Sequence, residues 1–112
     1  MSVAFKDIQT AAKRIAGQVI QSPCPRSLPL SKATGLNVYC KLEYLQRAGS
    51  FEEPGARNAL LWLPAKQKQH GVIAASAGNQ ALGRSYHGRL LGLPVTVVMP
   101  RFAPLMKVVN CQ

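Results

Sequence analysis

The chain has 112 residues, 47 % of them hydrophobic, which fits one small globular domain and excludes a disordered chain. Fourteen lysines and arginines against four acidic residues give a net charge of +10. The cations are spread along the whole chain with no dense run and no interleaved aromatics, so nucleic acid is not the expected partner.

From Phe5 to Val19 the apolar residues Phe5, Ile8, Ala12, Ile15 and Val19 recur at three- and four-residue steps, predicting an amphipathic helix that ends near Gly17. The next segment, SPCPRSLPLSKATG, is rich in proline and predicts an extended, surface-hugging lead-in. Asn37 to Leu42 is β-rich and short enough for a strand. After the loop EYLQRAGS, Ser50 and Glu53 form the S-x-x-E pattern of a capping box, while Pro54 favours a helix beginning at Pro54 itself.

Ala56, Ala59, Leu60 and Leu63 line one face of that helix, which falters at Pro64 and leaves AKQKQH as a frayed continuation or loop. Val72 to Ser76 and Val95 to Met99 are short apolar runs, expected as parallel strands buried on both faces. A helix from about Asn79 to Leu91 lies between them and is closed by Gly92, completing a β-α-β unit. Pro100 and Pro104 frame a turn, and LMKVVNCQ starts another helix that stops without a cap, so a chain cut short in an alternating α/β pattern is expected.

No apolar run approaches the roughly 20 residues of a membrane helix, and the start has no secretory h-region, so no membrane association and a cytoplasmic location are expected. Cys24, Cys40 and Cys111 show no CxxC or Cys/His spacing. Reduced, packed thiols and no metal are the expectation.

Two glycine-containing joints, residues 48–60 and 75–83, put small residues just before a helix N-terminus, where free amides can hold an anion. Neither matches the P-loop or the dinucleotide fingerprint, and each taken alone is compatible with an ordinary turn.

Taken together, KLEYLQRAGSF, GARNAL, GVIAASAGN, ALG and VTVVMP followed by AP and KV occur in the order found in the fold type II pyridoxal-phosphate enzymes. Within them the chain resembles the threonine and serine dehydratases (ammonia-lyases) and serine racemases, from its first helix to about Val108. The resemblance implies an N-terminal fragment of that α/β, tryptophan synthase β-like fold: a partial three-layer, Rossmann-like parallel sheet with an N-terminal helix and extended segment. Residues 1–50 would belong to the large domain and 51–112 to an incomplete small domain.

The resemblance also assigns site residues. The family's Ser-Phe-Lys-x-Arg-Gly-Ala motif reads Ser50-Phe51-Glu52-Glu53-Pro54-Gly55-Ala56 here, so Glu52 occupies the position of the Schiff-base lysine. Only a primary amine condenses with the cofactor aldehyde, and the same amine serves as base in β-elimination. Covalent pyridoxal phosphate and catalysis are therefore not expected. The family's Ser-(Ser/Ala)-Gly-Asn-His loop, which receives the substrate carboxylate, is matched by Ser76, Ala77, Gly78 and Asn79, with Gln80 in place of histidine. Asn79 would face the cofactor's phenolic oxygen. Phe51 would flank its ring, or be a plain core aromatic.

The family's phosphate cup lies well beyond residue 112. Lys41, Lys66 and Lys107 are expected as solvated amines, and His70 and His87 as surface or helix residues. Three functions remain open: an inactive, truncated relative; a module that binds a full-length dehydratase or a small carboxylate, or self-associates through exposed sheet edges; or an active enzyme completed by another chain.

Overall fold

The computed structural model describes residues 2–112. In chain order it contains α1 (Phe5–Ile15), α2 (Leu28–Thr34), a 3₁₀ turn (Glu43–Leu45), α3 (Glu52–Trp62), α4 (Ala65–His70), β1 (Val72–Ala75), α5 (Asn79–Leu90), β2 (Val95–Val98) and α6 (Leu105–Cys111). β1 and β2 pair in parallel, with Val72 opposite Val95 and Ala75 opposite Val98, and α5 is the crossover between them. The expected α/β architecture with its β-α-β unit is present. Among the described residues no helix is long and apolar enough to cross a membrane.

The predicted helices α1, α3, α5 and α6 are present, α1 ending at Ile15 and α3 starting at Glu52. Five expectations are corrected. The proline-rich segment is only half extended, because Pro29 falls in the first turn of α2, where no amide donor is needed, and Ser27 caps the helix through Leu30 N. AKQKQH is helical, as α4, and starts directly after Pro64. The Asn37–Leu42 run is not a strand of the sheet: it lies antiparallel to residues 23–27 through Ser27 N to Val38 O, Cys40 N to Pro25 O and Leu42 N to Pro23 O. Pro23 and Pro25 accept there but cannot donate, so the ladder loses two of its bonds and the pairing reduces to a single bridge.

The fourth correction concerns the sheet. The strands were expected to be buried on both faces, yet only one face is covered. Ala74 is buried, while Ile73 is 74 % and Val98 55 % exposed. Cys24 is likewise exposed rather than packed.

The buried apolar residues are Ala56, Leu60, Ala74 and Ala81, a thin core between α3, α5 and β1. Gly83 permits a close contact of α5 with α3, since a Cβ there would stand 3.2 Å from Ala56 Cβ and 3.5 Å from Glu53 Cα. The Cα radius of gyration is 16.4 Å, above the ~13 Å of a compact domain of about this length.

Candidate functional site

The first joint is pinned at Gln46. Its amide nitrogen donates to Ile20 O at 2.7 Å and its oxygen accepts from Ile20 N at 3.0 Å, fastening the loop before α3 to the segment after α1. Ser50 follows, 5 % exposed, with a buried hydroxyl that has no hydrogen-bond partner. The expected Ser50/Glu53 capping box does not form. Glu53 instead accepts from Ala48 N, two residues further back, and Ser50 offers only its carbonyl to Glu53 N. The helix begins at Glu52 rather than Pro54, and Pro54, as its third residue, deletes no intrahelical bond.

Phe51 precedes α3 and is 73 % exposed, which rules out the core-aromatic reading. It borders an open hollow of about 700 Å³ lined by Ala12, Ile15, Ile20, Lys41 and Pro54. Glu52 is half-buried, and one of its carboxylate oxygens, Oε2, is enclosed with no partner.

The second joint leaves β1 through Ser76, whose amide donates to Val98 O of the neighbouring strand at 3.1 Å. The Ser76 hydroxyl accepts from Gly78 N at 3.2 Å, closing the turn into α5. Ser76, Ala77, Gly78, Asn79 and Gln80 are all half-buried. Asn79 Oδ1 accepts from Lys107 Nζ of α6 at 2.5 Å. With its amide in the orientation that satisfies both ends, Gln80 accepts from Arg84 Nε at 3.0 Å. Gly83, at the end of the second joint, packs against Glu53 and Ala56 of α3.

Lys107 was expected to be solvated and is engaged with Asn79. Lys41 binds the Ser22 carbonyl and hydroxyl and lies 3.4 Å from Glu43, while Lys66 is exposed. Ser22 also donates to Glu43, and this hydroxyl, ahead of Gln46 and Lys41, holds the Glu43 carboxyl below its ordinary value.

His87 lies in a helix, one of its two expected placements, but not at the surface. It is fully buried, with Nε2 3.2 Å from Glu53 Oε1 and Nδ1 3.4 Å from Arg57 Nη1. Arg57 Nη2 continues the chain to Gln18 Oε1 at 3.0 Å. Burial pushes the imidazole below its usual value, helped by Arg57 and Arg47 and opposed by Glu53. The sequence did carry a signal: Glu53 and Arg57 are four residues apart on α3, and His87 lies four residues after Gly83 on α5.

Among the described residues no group of three or more His, Cys, Asp or Glu is placed to hold a metal. Residues 15–112 match the family model described as pyridoxal-phosphate dependent enzyme. The L-threonine ammonia-lyase of Thermotoga maritima is 40 % identical over 110 residues, 98 % of this chain and 27 % of that protein. The catabolic L-threonine dehydratase TdcB of Escherichia coli K12 is 42 % identical over 108 residues, 96 % of this chain and 33 % of that one. The crystal structure of serine racemase from Dictyostelium discoideum superposes with a TM-score of 0.91 at 33 % identity, over 97 % of this chain and 36 % of that chain. The chain thus spans about a third of the length of these relatives or less.

Proposed function

We propose, because this chain belongs to the family of pyridoxal-phosphate-dependent enzymes, that it is a threonine/serine ammonia-lyase-type segment without ammonia-lyase activity of its own. The observation that carries this reading is the carboxylate at Glu52, with one oxygen enclosed and unpartnered, at the position the family motif gives to an amine. Such a residue cannot condense with an aldehyde. The donor set at this joint therefore does not fit a covalently held cofactor, and no catalytic step is assigned to it. Lys107, the amine beside Asn79, is committed to that side chain.

Purified chain mixed with pyridoxal phosphate and followed by absorbance before and after borohydride tests the proposal. The expected result is no stable aldimine band and no modified peptide. A band trapped on one lysine peptide would overturn it, as would threonine or serine turnover by the chain alone. Glu52→Lys is expected to leave turnover absent.

A second reading is favoured by the bare sheet face at Ile73 and Val98, together with Phe102, 89 % exposed. In this reading the segment docks on a full-length dehydratase, in the cytoplasm. Native-mass measurement of the mixture supports docking if a complex appears and removes it if only free species are found.

A further inference from the structure

We infer that Gln18, Arg57, His87 and Glu53 form an acid-sensitive latch that ties the turn after α1 and the loop before α3 onto α5, and that protonation of His87 opens it. The argument begins with hydrogen-bond valence. A guanidinium only donates, so the Nδ1 that faces Arg57 Nη1 at 3.4 Å must accept. Nε2 then carries the ring hydrogen and donates to Glu53 Oε1 at 3.2 Å. The neutral Nε2–H tautomer alone satisfies both neighbours.

The latch reaches beyond the ring. The second oxygen of Glu53 holds Ala48 N, and the second terminal nitrogen of Arg57 holds Gln18 Oε1. Three stretches of chain separated in sequence by about thirty residues or more are thereby joined through one imidazole. Protonation places an N–H at Nδ1 against the guanidinium N–H and sets two cations side by side in a site closed to water.

The groups that face the ring are Glu53 and Arg57 from α3, Arg47 from the loop before it, and Tyr86 on α5, whose ring lies edge-on at 4.9 Å. β2 meets α5 through the apolar Val95 at Gly88, and Lys107 of α6 is engaged at Asn79, two turns away. Glu53 alone favours the charged ring; burial, Arg57 and Arg47 oppose it, and burial is the largest effect. A folded-state value depressed below 6.5 means that the unfolded chain binds the proton more readily. The stabilisation is complete above about pH 6.5 and is lost as pH falls through the folded value.

The test uses the full chain carrying His70→Gln, which leaves one imidazole, followed by proton NMR across about pH 5 to 8. The His87 signal is expected to titrate with a midpoint below 6.5, and the amide signals of Ala48 and Gln18 to move with that same midpoint. The thermal midpoint should fall on acidification, and this fall should be lost in His87→Gln, which keeps a donor toward Glu53 but does not titrate. A His87 midpoint at or above 6.5, amides of Ala48 and Gln18 that ignore it, or an unchanged pH slope in His87→Gln would each overturn the latch. If His87→Gln does not fold, the titration of the His70→Gln chain decides alone.

Discussion

Glu53 and His87 meet at 3.2 Å with both side chains fully excluded from solvent, and this contact joins α3 to α5. Removing one partner of a buried pair leaves the other uncompensated. Glu53→Ala also orphans Ala48 N. Each buried donor so orphaned is expected to cost about 1–3 kcal/mol, read by urea titration as a lowered midpoint. Glu53→Gln, which keeps an acceptor, should cost less.

Gly88 and Gly55 are predicted to respond oppositely to alanine. A Cβ on Gly88 overlaps Cγ2 of Val95, a β-branched side chain with little freedom to turn aside, whereas one on Gly55 meets nothing within 4 Å. Gly88→Ala should destabilise by about 1–3 kcal/mol. Gly55→Ala, in the interior of α3, should stabilise by roughly 0.5–1 kcal/mol. Equal shifts of the denaturation midpoint in the two variants would show that the α5–β2 contact is looser than described.

Leu60 is 1 % exposed and Trp62 is 74 % exposed, although both lie on α3. Leu60→Ala should cost about 2–5 kcal/mol through the cavity it leaves. Trp62→Ala removes the ring beneath Arg14, whose guanidinium carbon sits 5.7 Å from the centroid, and should cost about 0.5–1 kcal/mol. Thermal unfolding by circular dichroism separates the two.

The Ser22 hydroxyl is the main reason the Glu43 carboxyl lies below its ordinary value of 4.5. A depressed carboxyl contributes stability that is present above about pH 4.5 and lost as pH falls through the folded value. Ser22→Ala should move the Glu43 titration upward, seen by carbon NMR of its carboxyl, and should flatten the acid limb of the stability curve. No upward movement would remove Ser22 as the cause.

The sequence determined the elements whose periodicity is local. The stripe Phe5-Ile8-Ala12-Ile15 gave α1, the two apolar runs with a helix between them gave the parallel pair, and the ordered motifs gave the family. It also placed Glu52 where an amine was expected, since residue identity at a motif position needs no tertiary contact. What it misread depended on who pairs with whom. The prolines hide α2 from the sequence because their tolerance at a first helical turn depends on register. The Asn37–Leu42 strand reduced to a single bridge because its partner segment lacks donors at Pro23 and Pro25.

The side-chain pairings were decided by the tertiary structure. Glu53 was assigned to a local capping box and instead bonds back to Ala48 and across to His87. Lys107, expected as a solvated amine, is held by Asn79, and His87, expected as a surface or helix residue, lies in α5 but is buried in a hydrogen-bond network with Glu53 and Arg57. Composition and spacing fix which backbone conformations are cheap, but the partner of a long polar side chain is chosen only when helices distant in sequence pack. For Glu53, that choice is made at Gly83, where the absent Cβ lets α5 come close enough to bring His87 to it.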